Sequence, residues 1–454
     1  MPYQSINPAT DELIAEYPSI SNEEMMGKLN IANQVFNVWR KTKFAERKQL
    51  MMAASAVLIE NKEKYGRVMT LEMGKPLSQS IAEVEKSALC CRYYAENAEE
   101  FLAPQTYKTD YSFSEVHYEP LGIVYAIMPW NFPLWQVFRC ACPAIMAGNT
   151  VVLKHAQNVP QSALVMQEVF DKAGFPVGVF TNLFIEHDQS DKVIEYPGVM
   201  GVSLTGSERA GSYVASLAGK NIKRSVLELG GSDPFIILAD ADIETAAKIG
   251  CDSRMRNSGQ SCISAKRFIV VKEVADAFIE KYVANVKNIK VGDPLSEETF
   301  MGPLARKDLV DTIEKQVNDT VAAGAKILIG GKRMPGKGCY YEPTVITDIP
   351  KNSPAYKKEL FGPVASIFVV NDEKEAIELA NDTSFGLGAS LWSKDKEKAL
   401  ELSKDIQSGS VYINTFVKSD PRIPFGGIKR SGYGRELSDM GIREFVNIKT
   451  VCIA

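Results

Sequence analysis

From Pro120 onward the chain repeats one pattern, a short run rich in β-branched residues followed by an amphipathic stretch of about ten to fifteen residues. GIVYAIMPW, LWQVFRCACPAIMAG, TVVLKH and QSALVMQEVFDKAG follow one another in this way. Such alternation predicts parallel α/β units. A second series starts near Leu229 with DPFIILADA, a helix around 242–255, RFIVVK and a helix around 273–288. It continues through ASIFVV, a helix from Glu373, GASLWS, a helix from Lys394 and GSVYIN. Two α/β domains fit the 454 residues better than one. The first hundred residues read mostly as helices, over 22–40, 44–64 and 77–101, and are expected to cover one face of the first sheet. After them YKTDYSFSEVHYEP alternates like an antiparallel strand pair without a long apolar face, a ribbon suited to burial against another subunit.

Composition narrows the function. Apolar residues make up 45% and charged residues 24%, a soluble globular balance. With 52 Lys and Arg against 56 Asp and Glu, the net charge of −4 advertises no nucleic-acid surface. No uncharged apolar run reaches the length of a membrane span, and Met1 to Thr10 lacks a signal peptide's basic start and apolar core, so the expected compartment is the cytoplasm. Eight cysteines without a CxxC pair, and only three histidines, make a metal site or a disulfide framework an unpromising expectation.

Five segments carry the chemistry. NSGQSCIS at 257–264 places Cys262 among small polar residues, whereas Cys140, Cys142 and Cys251 sit on apolar helix faces and read as core. Cys262 is thus a candidate nucleophile, with an inert loop cysteine as the rival reading. Glu228 ends the apolar run SVLELGG, where desolvation would raise its pKa towards neutrality as a general base requires. A carboxylate capping a neighbouring helix is the alternative. SLTGSERAGSYVASLAG at 203–219 reads as strand, turn and helix, whose first N–H groups at Gly206 and Ser207 suit a pyrophosphate. Lys154 ends the strand VVLKH and could face a ribose or its phosphate, or simply be solvated. In PWNFPLWQVFR, Pro133 suits a first helical turn. Asn131, Trp135 and Arg139, four apart, would then fall within about 80° on one helix and aim at one pocket. An amphipathic core helix with an exposed Arg is the competing reading.

Taken together, these segments resemble the aldehyde dehydrogenase superfamily along nearly the whole chain. The motifs are INPAT at 6–10, PWNFP at 129–133, TGS at 205–207, LELGG at 227–231, GQSC at 259–262, ELFGP at 359–363 and PFGGIKRSGYGRE at 424–436. The resemblance implies Cys262 as nucleophile, Glu228 as general base and Asn131 as oxyanion donor beside the Cys262 backbone N–H. It implies that Lys154, Ser207 and Glu359 hold the adenosine ribose, the pyrophosphate and the nicotinamide ribose, with Trp130 and Phe361 lining the cofactor path. The implied fold is a Rossmann-like cofactor domain (1–104 and 120–228), an α/β catalytic domain (229–423) and a β bridging arm (105–119 and 435–454). Through that arm KTVCIA would add a strand to a partner's sheet, giving a homodimer or homotetramer.

Two details refine the expectation. Relatives that prefer NAD commonly carry a glutamate three residues after the strand-end lysine. Here Gln157 stands there, which leaves a 2′-phosphate unopposed and points to NADP, with NAD as the alternative. Members that oxidise succinic semialdehyde carry an arginine eight residues after the oxyanion asparagine, and often another six before the cysteine. Arg139 and Arg256 occupy those places, and Ser419 matches a carboxylate-binding serine. The resemblance therefore implies oxidation of a small aldehyde, succinic semialdehyde, with no nucleic-acid or membrane partner. A broader aliphatic or glutarate-semialdehyde dehydrogenase, and a catalytically silent homologue, are the rivals. Ser264 stands where some members place a second, redox-active cysteine.

Overall fold

The computed structural model describes residues 2–454 and contains four sheets. The first has six strands in the order Gly432–Tyr433, Arg224–Glu228, Val199–Thr205, Ile123–Met128, Thr150–His155 and Phe180–Asn182. All neighbours are parallel except the short Gly432–Tyr433 edge. Thr150–His155 is buried at every position, as a strand covered on both faces must be. Alternate residues of Ile123–Met128 enter different cores. Val124 and Ala126 pack with Trp39, Met51, Tyr65, Val84 and Phe138, while Ile123 and Tyr125 pack with Met25, Leu29, Val193 and Val214. The N-terminal helices are therefore split, contrary to the single covered face expected. Phe44–Glu60, Lys62–Met73 and Leu77–Phe101 cover one side, and most of Asn22–Trp39 covers the other.

The second sheet has seven strands, ordered Lys326–Ile329, Thr344–Thr347, Val364–Val370, Arg267–Val271, Pro234–Ile237, Gly388–Trp392 and Ser410–Ile413, parallel except at the first pair. In the third, Phe113–Pro120 lies between Gln105–Thr106 and Val446–Ile453, all antiparallel. The C-terminal strand thus pairs within its own chain, Val446 opposite Pro120 and Ile453 opposite Phe113, and its far edge is open. The fourth sheet is a hairpin of Tyr3–Asn7 with Glu12–Tyr17. Among the described residues no helix is long and apolar enough to cross a membrane.

The strand order positions the site. Ile123–Met128 starts the first sheet, the next two strands lie on one side of it, and Val199–Thr205 with Arg224–Glu228 lies on the other. The order reverses between Met128 and Thr205, and in open parallel sheets the crevice at the carboxyl ends of such strands takes the ligand.

Candidate active site

A cleft of 270 Å³ opens at that reversal. Trp130 and Asn131 reach it from the end of the first strand, and Gly206 and Ser207 from the end of Val199–Thr205. Ser207 caps the helix Glu208–Lys220 by accepting from the Ala210 N–H at 3.3 Å, so the helix N-terminus borders the cleft. Glu359 and Phe361 enter from the loop before Val364–Val370 of the second sheet. The Phe361 and Trp130 rings meet edge to face at 5.9 Å. Glu359 accepts from the Gly231 N–H at 3.3 Å and pairs with the Lys266 ammonium at 3.2 Å. A Cβ at Gly230 would lie 2.6 Å from the Glu359 carboxylate, which is why that position has no side chain.

Cys262 lines this cleft, and its chain neighbours Ser261 and Ile263 line a second cleft of 610 Å³. The thiol therefore lies in the wall between two clefts. Its loop is tightly specified. Asn257, Ser258 and Gly259 run through left-handed conformations (φ +53°, +54°, +72°), and a Cβ at Gly259 would lie 2.2 Å from the Gly362 carbonyl oxygen. The buried Arg254 ties the two loops together, donating to the carbonyls of Leu360 at 2.6 Å, Val364 at 2.7 Å, Gly362, and Gly259 at 3.3 Å. Lys266 donates to the Ser261 and Cys262 carbonyls at 2.7 and 2.8 Å, so one ammonium joins the cysteine loop to Glu359. Burial pushes the Cys262 thiol up to about 12, against the pull of Lys266 and Arg139.

Asn131 Nδ2 donates to the Gln260 carbonyl at 3.0 Å, and Asn131 Oδ1 accepts from Gln136 at 3.2 Å. One Nδ2 hydrogen is thus free to face the cleft beside the thiol. Glu228 is buried, and neither carboxylate oxygen has a hydrogen-bond donor, which removes the helix-cap reading. Burial first, then Glu436, raises its carboxyl to about 8, with Arg139 and Arg435 opposing.

Arg139 is not where the sequence placed it. The helix Trp135–Ala147 begins at Trp135, so Asn131 lies on the preceding turn and the assumed common helical phase is lost. Arg139 lies one turn into that fully buried helix. Its guanidinium pairs with Glu436, donates to Thr205 Oγ1 at 3.3 Å and stacks on Phe425 at 4.7 Å. It lines neither cleft and is committed to a carboxylate on the Glu228 side of the thiol.

Trp135, Arg256 and Ser419 do line the second cleft. Trp135 Nε1 donates to Ser419 Oγ at 2.9 Å, and Arg256 is paired with Asp252 at 2.7 Å. Lys154 is the penultimate residue of Thr150–His155, its ammonium nearly enclosed and held down to about 8 by burial, and among the described residues it has no ion-pair partner. Gln157 lies on the following turn, half-buried, its carbonyl accepting from the Gln4 N–H at 3.1 Å. Sequence reasoning gave no role to Lys266, Arg254, Glu436 or Lys86. A lysine four residues after the cysteine was the only signal for the first, and Glu436 closes a quoted motif without a role being attached.

A reachable thiol between two clefts, an unpartnered buried carboxylate and a helix N-terminus at a sheet reversal define an enzyme of the aldehyde dehydrogenase family. The model of that family matches residues 1–451, and the chain belongs to it. A probable NADP(+) succinate-semialdehyde dehydrogenase of Synechocystis sp. is 50% identical over 454 residues, the whole of both chains. The NADP(+) succinate-semialdehyde dehydrogenase of Mycolicibacterium paratuberculosis is 48% identical over 457 residues, covering 100% of this chain and 97% of that one. The crystal structure of succinic semialdehyde dehydrogenase from Streptococcus pyogenes in complex with NADP+ superposes with a TM-score of 0.98, at 40% identity and 99% coverage of both chains.

Proposed function

We propose that this chain oxidises succinic semialdehyde to succinate with NADP as hydride acceptor. The observation that carries the reading is the position of Cys262, with one cleft on its Asn131 side suited to a dinucleotide and another on its Trp135 side for the aldehyde. Relatives half identical over their full length bear the same activity in their names. The residues present fit the dinucleotide. Lys154 is an ion-pair-free ammonium that would hold the 2′-phosphate, with an uncharged Gln157 three residues on. Ser207 would take the pyrophosphate at the helix N-terminus and Glu359 the nicotinamide ribose, between Trp130 and Phe361.

Cys262 sulfur adds to the aldehyde carbon as the thiol proton passes to solvent water. Asn131 Nδ2 and the Cys262 N–H donate to the oxygen on which charge develops. Held by Lys154, Ser207 and Glu359, the dinucleotide would supply the hydride acceptor for oxidation of the Cys262 thiohemiacetal to a thioester. Glu228 then takes a proton from the water that attacks the thioester, and succinate leaves. In this reading the six-stranded sheet with residues 1–104 and 120–228 binds cofactor, and the seven-stranded sheet at 229–423 carries catalysis. The arm assembles copies of the chain through the open edge of Val446–Ile453.

A steady-state comparison of succinic semialdehyde, glutaric semialdehyde, butanal and acetaldehyde, each with NADP and NAD, tests this. The highest kcat/KM is expected for succinic semialdehyde with NADP. Preference for butanal or for glutaric semialdehyde would overturn the substrate.

Glu228→Gln keeps the shape and removes the base. It should release a stoichiometric burst of reduced cofactor and then turn over about 10²- to 10⁴-fold more slowly. In the native enzyme, hydrolysis of preformed acyl-enzyme should rise with pH up to about 8 and level off above it, because Glu228 must be ionised to act. Loss of the burst together with turnover would assign Glu228 to thiol activation or folding instead.

A further inference from the structure

The second cleft has four cations around it, Lys75, Lys86, Arg256 and Lys418, and two of them are already neutralised. Lys75 pairs with Glu83, and Arg256 with Asp252. Lys418 lies exposed over the Phe416 ring. Lys86, on the helix Leu77–Phe101, differs from them. It is partly buried, lines the cleft, and among the described residues has no carboxylate within ion-pair distance. Its Nζ donates to Ser419 Oγ at 2.8 Å and stands 4.0 Å over the Trp135 ring.

Ser419 gives the arrangement its meaning. Its oxygen accepts from two donors, Lys86 Nζ and Trp135 Nε1. A hydroxyl with both lone pairs engaged has only its own hydrogen left to offer. Lys86 likewise keeps N–H groups without an acceptor, since an ammonium has three. The cleft thus presents an ammonium and a hydroxyl as donors with no protein acceptor, a site that a carboxylate satisfies by charge-assisted hydrogen bonds.

We propose that Lys86, together with the Ser419 hydroxyl, binds the distal carboxylate of the aldehyde and is the cation by which this cleft selects ω-carboxy aldehydes. This assignment rests on the succinic semialdehyde reading above and places the charge on Lys86 where the sequence pointed to Arg139. The environment supports it. Burial, reinforced by Arg139, lowers the Lys86 ammonium to about 7, against Glu83, Cys90 and Asp420, so binding an anion also relieves an under-compensated charge. KM for succinic semialdehyde should accordingly rise above neutral pH as Lys86 loses its proton, and KM for butanal should not.

The test compares native enzyme, Lys86→Met and Lys86→Arg on succinic semialdehyde and butanal with saturating NADP. Lys86→Met should lower the selectivity ratio, kcat/KM for succinic semialdehyde over that for butanal, by about 30-fold or more. Lys86→Arg should restore part of it. Lys86→Met breaks no ion pair, so its melting temperature should match the native one. If it fails to fold, Lys86→Gln, which also removes the charge, decides in its place. A native enzyme without preference for succinic semialdehyde would overturn the functional reading itself. A native preference that survives the loss of the Lys86 charge would overturn the role of Lys86 alone.

Discussion

Cys262→Ala is expected to lower turnover on every aldehyde by about 100-fold or more while leaving dinucleotide binding intact. No other cysteine can take over, because Cys90, Cys91, Cys140, Cys142, Cys251 and Cys339 are buried and Cys452 lies exposed on the C-terminal strand. The loop should survive the change. What anchors it is main chain, the Ser261 and Cys262 carbonyls on Lys266 and the Gly259 carbonyl on Arg254. Fluorescence titration with NADP and a steady-state assay check both halves of the expectation. A variant that kept a tenth of native turnover would remove Cys262 from the chemistry.

Arg139→Ala should be the most destabilising of the variants considered, and should lower activity on succinic semialdehyde and butanal to the same extent. Arg139 and Glu436 are 3% and 5% exposed at the side chain, and truncating one partner of such a pair costs about 3–5 kcal/mol because the other is left as a buried, uncompensated charge. Glu228 feels the same loss, since Arg139 is the leading opponent of its upward shift. The ionised fraction of Glu228 falls, and the pH midpoint of acyl-enzyme hydrolysis should move upward. Calorimetry and the pH profile read these effects separately. Combining Arg139→Met with Glu436→Gln should recover stability relative to Arg139→Ala, because no lone charge remains. A melting temperature unchanged in Arg139→Ala, with activity lost on succinic semialdehyde alone, would return Arg139 to the substrate cleft.

The fate of Arg139 shows where sequence periodicity stopped being informative. Four-residue spacing implies a shared face only inside one helix, and the helix starts at Trp135, not Pro133. The parallel strands and their helices were legible because burial on both faces demands long apolar runs, as in TVVLKH and RFIVV. The hairpin Tyr3–Asn7 with Glu12–Tyr17 was missed because long-range contacts position it. Tyr3 donates to the Ile185 carbonyl at 2.8 Å and the Gln4 N–H to the Gln157 carbonyl at 3.1 Å, partners more than 150 residues away. The expected helix over 44–64 is broken at Asn61, whose φ of −112° leaves the helical range and starts a second helix at Lys62. Cys262, Glu228 and Asn131 stand out in the sequence because each sits in a motif at a strand end or loop. Lys86 does not. It is one charge on a 25-residue helix, and only the approach of Ser419 from 333 residues away distinguishes it.

The two clefts have no lining residue in common. Substitutions that retune the choice of aldehyde can therefore avoid the side chains that retune the choice of dinucleotide, and their free-energy changes combine additively where the substituted residues lie more than about 7–10 Å apart without a shared partner. A family built this way can drift in one preference without renegotiating the other. A new carbon skeleton can be admitted on one side of the thiol while the electron carrier stays matched to the cell's reductive metabolism on the other.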